Sequence, residues 1–221
     1  MKKKLVIFGC GSIAQLAHFY FSSDSSYEVT AFAIDRSYLS IDTFCGLPVV
    51  AFENVATEFP PANHDFFIAL SYSGLNELRK SKYFAAKLLG YSIASYISTK
   101  ATVLNAGAIG DNCFLLENNT IQPFASIGNN VTLWSGNHIG HHSTIADHCF
   151  IASHVVISGG VEIGEQCFVG VNATLRDHIK IGKRCVLGAG VLMLADALPD
   201  GVYMGAATER SRVPSSRLKG L

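Results

Sequence analysis

The apolar positions of this chain follow two rhythms, one up to residue 96 and another beyond it. From Ile97 every sixth residue is aliphatic, through seventeen positions without a slip. The members are Ile97, Val103, Ile109, Leu115, Ile121, Ile127, Leu133, Ile139, Ile145, Ile151, Ile157, Ile163, Val169, Leu175, Ile181, Leu187 and Met193. A slim residue, such as Cys113 or Ala125, stands four positions after many of them. One large and one small inward position in every six predict a narrow solenoid, in which three hexads form a triangular coil and successive coils pair as parallel strands about 4.8 Å apart.

The first part of the chain has the pattern of alternating strands and helices. Apolar runs typical of strands buried in a parallel sheet occur three times, at 4–8, 29–34 and 66–70. Helical runs follow at 13–21 and 75–89. Together the two rhythms predict a small Rossmann-like αβ domain over residues 1–96 and a parallel β-helix with a C-terminal tail over residues 97–221.

The first predicted strand ends in a glycine-rich turn. The stretch Gly9-Cys10-Gly11-Ser12-Ile13-Ala14 matches the permissive G-x-G-x-x-G/A pattern, whose backbone amides meet phosphate before a helix. Asp35 and Arg36 end the second predicted strand, where a carboxylate accepts hydrogen bonds from a ribose or base. Because the domain is too short for both halves of a dinucleotide fold, we expect one mononucleotide, contacted by Gly9, Gly11, Ser12, Asp35 and Arg36. A dinucleotide oxidoreductase and a tight turn without ligand are the alternatives.

Charge and cysteine content narrow the range of partners. The 221 residues carry 17 Lys plus Arg and 17 Asp plus Glu, whereas a nucleic-acid-binding chain is normally basic. No apolar run reaches the roughly 18 residues of a membrane span, so we expect a cytoplasmic protein without membrane insertion. The six cysteines form no CxxC pair and four occupy the slim inward position, so we expect no metal site.

The hexads resemble those of the hexapeptide-repeat acyltransferases, which fold as a left-handed parallel β-helix. With a short αβ domain in front, the whole arrangement resembles the bacterial sugar acyltransferases of the PglD and NeuD type, called sialic-acid O-acetyltransferase-like. This resemblance implies that the αβ domain binds a nucleotide-linked amino sugar. It also implies a homotrimer of β-helices, with acetyl-CoA as co-substrate between neighbouring helices.

The resemblance also assigns the chemistry to particular residues. The family's general base is a histidine two residues past an aliphatic position, which here is His141 in Ile139-Gly140-His141-His142. The family commonly has Asp or Glu next, but this chain has His142, and Asp147 is one candidate to replace the missing carboxylate. Gly159, 18 residues after His141, matches the glycine whose amide holds the thioester oxygen. Gly159, Gly188 and Gly205 are the expected acetyl-CoA contacts.

These features predict an acetyl-CoA-dependent N-acetyltransferase of surface-glycan synthesis, in which the sugar amine attacks the thioester directly. Sugar O-acetylation is the alternative reaction, and a non-catalytic solenoid is the alternative from another class. His138 is a candidate to line the pocket. The remaining repeat histidines fall three residues after an aliphatic position, where we expect outward polar side chains: His142, His148, His154 and His178.

Overall fold

The computed structural model describes residues 3–105 and 108–217. Its N-terminal part is a five-stranded sheet flanked by helices. The strands are β1 (Lys3–Phe8), β2 (Tyr27–Ile34), β3 (Thr43–Phe44), β4 (Leu47–Ala51) and β5 (His64–Ile68), and the helices are α1 (Ser12–Ser23), α2 (Val55–Glu58) and α3 (Glu77–Leu88). Short 3-10 turns span Arg36–Tyr38, Phe52–Asn54 and Ser215–Arg217. The strand order is β3-β4-β2-β1-β5, and every pair is parallel except β3 with β4.

Two details of this sheet differ from the sequence prediction. The hairpin β3–β4 was not predicted, and its turn uses Cys45 and Gly46 at positive φ of 50° and 78°. Helix α3 begins at Glu77 rather than at Leu75, because Gly74, Leu75 and Asn76 all have left-handed φ values between 52° and 66°. Consecutive left-handed residues are incompatible with a right-handed helix, so the apolar spacing in this stretch did not mark the helix start.

The remainder of the chain forms coils whose two-residue strands stack into three parallel sheets. The first face contains Tyr96–Ile97, Phe114–Leu115, Thr132–Leu133, Phe150–Ile151, Phe168–Val169, Val186–Leu187 and Val202–Tyr203. The second face contains Thr102–Val103, Thr120–Ile121, His138–Ile139, Val156–Ile157, Thr174–Leu175 and Leu192–Met193. The third face contains Ser126–Ile127, Thr144–Ile145, Glu162–Ile163 and Lys180–Ile181. Partners such as Ile139 and Ile157 are 18 residues apart, as the hexads predicted.

The inward positions form one continuous core. The aliphatic series from Leu115 to Leu187 is almost completely buried, and Cys113, Cys149, Cys167 and Cys185 are buried in the slim position, as the repeat predicted. Every sixth residue between these positions turns the chain at a corner with positive φ, for example Asn130, His142 and Asn172. The predicted fold class, a small αβ domain followed by a parallel β-helix, is therefore confirmed.

The αβ sheet and helix α3 pack against the first face and the corner that precedes it. Phe114 and Leu116 of the coils share a core with β1, β2 and α1. The buried guanidinium of Arg79 on α3 donates to Thr132 Oγ1 and to the carbonyl oxygen of Cys149, the latter over 3.0 Å. These contacts leave the second and third faces uncovered by the αβ part.

Within 3–105 and 108–217, no helix combines the length and the apolar character that a membrane crossing requires. In the same part of the chain, no three His, Cys, Asp or Glu side chains are grouped to hold a metal ion.

Candidate active site

His141 and His142 lie together at the corner between the second and third faces. His142 has a φ of 59°, which turns the chain so that the two imidazoles meet edge to face. Their Nδ1 atoms are 3.0 Å apart, a hydrogen-bonding distance that requires one ring to donate and the other to accept. The His142 ring also packs on Phe124, one coil earlier, with centroids 4.7 Å apart. Both histidines are exposed, so the pair faces solvent in the single chain.

Gly159 lies one coil beyond His141, directly against its ring. A methyl group placed on Gly159 would stand 2.7 Å from Cε1 and 2.8 Å from Nε2 of His141. Gly140 lies on the other side, where a methyl group would stand 2.6 Å from the Gly159 nitrogen. A side chain at position 159 would therefore displace the imidazole and one at position 140 would press on the Gly159 amide, so this contact requires glycine at both positions.

The Gly159 N–H is an available donor because of its place in the hexad. The coil-to-coil ladder uses the amides one and three residues after each aliphatic position, such as Gly140 N to Ile157 O and Gly160 N to His141 O, both at 2.8 Å. The amide two residues after it donates to a side chain elsewhere, as in His141 N to Gln122 Oε1 at 2.8 Å. No acceptor among the described residues takes the N–H of Gly159. The corner thus presents an imidazole nitrogen beside an unused backbone donor.

The glycine turn borders a separate cleft at the carboxyl ends of β1 and β5. Gly9 has a φ of 118°, and a methyl group there would stand 2.9 Å from the carbonyl oxygen of Ala69, so the close approach of two strands requires glycine. The cleft has a volume of about 400 Å³ and is lined by Gly11, Ser12, Ser71 and Ser73 among others. It opens at the N-terminus of α1, where free amides and the helix dipole favour an anion.

Asp35 and Arg36 lie at the end of β2, on the other side of the glycine turn. Asp35 forms an ion pair with Lys82 of α3, and the Lys82 Nζ lies 5.3 Å and 5.2 Å from the ring centroids of Phe8 and Phe52. The Arg36 guanidinium donates to Asn54 Oδ1 over 2.8 Å. Lys82 was not identified from the sequence, because it is 47 residues from Asp35 and only the packing of α3 over the sheet brings them together.

Gly188 and Gly205 lie at a third place, near the last coils. Gly188 N donates to Tyr203 O over 2.7 Å, and a methyl group on Gly205 would stand 2.3 Å from the Ala189 oxygen. Gly188 follows a strand of the first face, whereas Gly159 follows a strand of the second face. In one chain, therefore, the three predicted acetyl-CoA contacts do not share a corner.

Three further residues singled out from the sequence lie at different places on the coils. His138 stands on the second face, half-buried, in the strand that leads to His141. Asp147 is engaged at a different corner, where its carboxylate accepts from the backbone and side chain of Asn129 over 2.7 and 3.1 Å. Within one subunit Asp147 therefore does not replace the carboxylate missing after His141. His148 lies at a corner as expected, but Tyr83 and Phe84 of α3 cover its ring and leave it 2% exposed, so the expected surface position is wrong for this histidine.

An apolar groove of about 370 Å³ joins the αβ part to the first face and shares Ile13 with the cleft. Aromatic rings dominate its lining. Tyr72 packs across the stacked rings of Phe150 and Phe168, with centroids 4.9 and 4.8 Å away, and Trp134 is the groove's other large ring. None of these rings was singled out from the sequence, although their spacing of 16 to 18 residues in the coils is visible in the repeat.

Comparison with known proteins identifies the repeat and the fold. Residues 124–159 and 160–195 match the family model described as bacterial transferase hexapeptide (six repeats). No curated protein matches the chain as a whole. Among solved structures, the acetyltransferase domain of PglB from Neisseria gonorrhoeae FA1090 is 23% identical, with a TM-score of 0.81 over 92% of this chain and 97% of that one.

Two further structures extend the match. PerB from Caulobacter crescentus, solved in complex with CoA and GDP-perosamine, is 22% identical, with a TM-score of 0.80 over 91% of this chain and 94% of that one. WeeI from Acinetobacter baumannii AYE is 17% identical, with a TM-score of 0.68 over 91% and 96%. The hexapeptide match and these likenesses confirm the repeat and the predicted fold, a small αβ domain followed by a left-handed parallel β-helix.

Proposed function

We propose that this chain is a sugar acyltransferase of the hexapeptide-repeat class and that it transfers an acetyl group from acetyl-CoA to the amino group of a nucleotide-linked amino sugar. The observation that carries the proposal is the corner at His141. There the imidazole of His141 packs directly against Gly159, whose backbone N–H has no acceptor among the described residues. A base for the attacking amine and a donor for the developing oxyanion are the two groups that acyl transfer from a thioester requires.

His142 has a defined role in this mechanism. If His141 donates its Nδ1–H to Nδ1 of His142, Nε2 of His141 carries the lone pair and is free to take a proton. The amine then attacks the acetyl carbon, and the carbonyl oxygen gains negative charge against the Gly159 N–H. His141 removes a proton from the amine nitrogen. Collapse of the intermediate breaks the C–S bond, and the CoA thiolate accepts a proton from the imidazolium. His142 thus takes the orienting place of the family's carboxylate.

The αβ part supplies the nucleotide site in this proposal. The N-terminus of α1 and the Gly9–Ser12 turn border a cleft suited to a diphosphate, and Asp35 with Lys82 forms a charged pair for the ribose or base at the next strand end. The phosphate contact is assigned to Gly9, Gly11 and Ser12. We assign Arg36 to the rim of the nucleotide site, because its guanidinium already donates a hydrogen bond to Asn54.

The geometry of one chain calls for a second copy. The αβ cleft adjoins the apolar groove at the first face, whereas His141 stands at the corner between the other two faces. A cyclic trimer of triangular prisms places the His141 corner of one copy beside a neighbour. We propose that the base and Gly159 come from one subunit and that Gly188 and Gly205, with the nucleotide cleft, come from its neighbour, so that acetyl-CoA lies between them.

The solved structures support the choice of substrate. PerB is described as a perosamine N-acetyltransferase in complex with CoA and GDP-perosamine, and its fold extends over 91% of this chain. Cytoplasmic nucleotide sugars and acetyl-CoA are the natural pool for such a reaction, in the biosynthesis of a surface glycan. We propose no metal and no nucleic acid as partners.

Two measurements test the proposal in sequence. UDP, GDP and TDP are first screened for an increase in melting temperature, and the matching nucleotide-linked amino sugar is then incubated with acetyl-CoA while free CoA thiol is followed. We expect one nucleotide to stabilise the protein, and CoA release to yield an amide that resists alkaline hydroxylamine. A hydroxylamine-labile product would indicate O-acetylation instead. No stabilisation and no CoA release would contradict the proposal.

A further inference from the structure

The loop 71–76, between β5 and α3, is held in a conformation that its own sequence does not favour. Gly74, Leu75 and Asn76 have φ values of 60°, 52° and 66°, three consecutive residues in the left-handed region. Leucine rarely adopts this region, because its Cβ crowds the carbonyl oxygen. A short segment of this kind persists only where surrounding contacts determine it. The contacts that hold this loop therefore decide its shape.

One contact is a buried arginine. Arg79 is 2% exposed, and its Nη2 donates both to Asn76 Oδ1 and to Cys149 O over 3.0 Å, while its Nη1 donates to Thr132 Oγ1 on the first face of the β-helix. No carboxylate is among its hydrogen-bond partners in the described chain, and burial lowers the pKa of its guanidinium to about 10. The fork geometry of a guanidinium lets one side chain join the loop to two neighbouring coils at once.

A second contact is an aromatic ring that is about half exposed and packs across the rings of two successive coils. Tyr72 lies 4.9 Å from the Phe150 centroid and 4.8 Å from the Phe168 centroid, so the loop is attached to the first face at both of its ends. Between the two attachments stands Ser73, which lines the cleft together with Ser71, opposite Gly11 and Ser12. The wall of the cleft is thus built by the β-helix acting through this loop.

We propose that Arg79 is a positioning residue for the nucleotide site, because it fixes loop 71–76 against the β-helix and thereby sets Ser71 and Ser73 across the cleft from the glycine turn. The proposal rests on the proposed function for the identity of the ligand, but not for the behaviour of the loop. It makes the cleft dependent on contacts between the αβ part and the coils, although no residue of the coils lines it.

The sharpest test changes the link and leaves the arginine in place. Asn76→Gly removes the Oδ1 acceptor and tolerates a φ of 66°, whereas Asn76→Asp keeps an acceptor and also tolerates this region. We expect Asn76→Gly to raise the Kd of the nucleoside diphosphate selected from UDP, GDP and TDP, and the KM of the nucleotide sugar, at least about tenfold. The KM of acetyl-CoA should change less than twofold, and Asn76→Asp should stay near wild type.

A matched control separates positioning from general docking of α3. Lys87 of the same helix pairs with Asp111 of the coils over 2.7 Å, nearly three turns from the loop. Lys87→Met removes this contact between α3 and the coils and should leave the Kd of the nucleotide unchanged. If Lys87→Met and Arg79→Met weaken nucleotide binding equally, the proposal is overturned, because Arg79 would then act only in docking the helix. Wild-type nucleotide affinity in Asn76→Gly would overturn it as well.

A readout without ligand keeps the test independent of the proposed function. Trp134 is the only tryptophan of the chain and lines the groove that Tyr72 closes. Release of the loop in Asn76→Gly should increase acrylamide quenching of Trp134 about twofold, while Asn76→Asp and Lys87→Met retain wild-type quenching. If no nucleotide binds the wild-type protein, the proposed function fails while this comparison still decides whether Arg79 holds the loop. If acrylamide quenching of Trp134 is unchanged in Asn76→Gly, the proposal that Arg79 holds loop 71–76 through Asn76 is refuted.

Discussion

Two corners of the β-helix share one backbone conformation and one place in the hexad, yet their surroundings are opposite. At the corner between the third and first faces, the left-handed positions Asn130 and His148 are buried beneath α3, and Asn130 Nδ2 lies 2.9 Å from His148 Nδ1. At the corner between the second and third faces, His142 and His178 have the same φ within about a degree and are exposed. The repeat determines the turn, and what docks on the turn determines whether a histidine there is structural or available for chemistry.

The difference has a consequence for how such proteins acquire a site. A corner covered by α3 satisfies its polar groups internally, as in the ladder from Asn112 through Asn130 to His148. An uncovered corner leaves an amide such as that of Gly159 without a partner among the described residues, and an imidazole beside it. An unused backbone donor therefore stays accessible where the stacking of coils leaves an amide without a partner and no other part of the described chain covers that corner.

Replacing the proposed base should have the largest effect. We expect His141→Ala to lower kcat by roughly 10² to 10⁴, the usual contribution of a general base. The melting temperature should change little, because His141 is exposed and lies outside the inward core. The measurement is CoA release under saturating substrates. Wild-type kcat would remove His141 from the mechanism and direct attention to His138.

A methyl group on Gly159 should have the next largest effect. Gly159→Ala places that carbon within 2.8 Å of both Cε1 and Nε2 of His141, so the imidazole must move. We expect kcat to fall about 10²-fold, since a displacement of about 1 Å at a reacting group has this cost. In a His141→Ala background the same change should have little further effect, because the two residues act together. Additive losses would show that Gly159 acts independently of the imidazole.

The orienting role of His142 is tested by comparison with His178, which occupies the same corner position two coils further along the β-helix. His142→Gly and His178→Gly remove the same side chain at φ values of 59° and 58°, two coils apart, so backbone effects match. We expect His142→Gly to lower kcat about tenfold, and to shift the acidic limb of the pH–rate profile, because His141 loses its Nδ1 partner. His178→Gly should match wild type in both. His142→Asp should retain activity, since it restores the residue type common in the family.

The smallest expected effect concerns the stability of the fold, at the buried corner that contains His148. Burial lowers the pKa of His148 below 6.5, so the unfolded chain takes up a proton that the folded chain resists. Stability is then lost as the pH falls through the unfolded value, with a slope of up to about 1.4 kcal/mol per pH unit. In His148→Gln, which places at this corner the residue found one coil on at Gln166, denaturant unfolding between pH 7.5 and 5.0 should have a smaller slope. The exposed counterpart His178→Gln should keep the wild-type slope, and an equal change in both would contradict the comparison.

The hexad pattern predicted the coils almost completely. An aliphatic residue at every sixth position marks the buried side of the coil, and its strand partner in the next coil is always 18 positions away. The helix α3 was predicted with a start at Leu75, two residues early, because the preceding residues have left-handed φ values. The contacts that we propose to hold this loop, made by Arg79 and Tyr72, reach residues 53 to 96 positions away. Long-range packing of this kind has no local signal.

The residues of the candidate site also divide into those that the repeat predicts and those that only long-range packing brings together. His141 and Gly159 could be paired from the sequence because they are one coil apart. Lys82 beside Asp35, and the burial of His148 beneath Tyr83, depend on where α3 docks and were not predicted. The assignment of His141 as base, and the division of the site between copies, stay predictions until they are measured.

Complementation between inactive variants tests most directly the claim that the base and the nucleotide cleft act across two subunits. Gly11→Asp introduces a carboxylate at a position with open space within 4 Å, so it should repel the diphosphate without disturbing the fold. His141→Ala and Gly11→Asp are each inactivated alone and then co-expressed with different tags, and doubly tagged trimers are purified. Every doubly tagged trimer contains both variants, and in a ring of three it has one site in which an intact base faces an intact cleft, so about a third of the wild-type activity should return. Mixed trimers with no more activity than either parent would contradict the account.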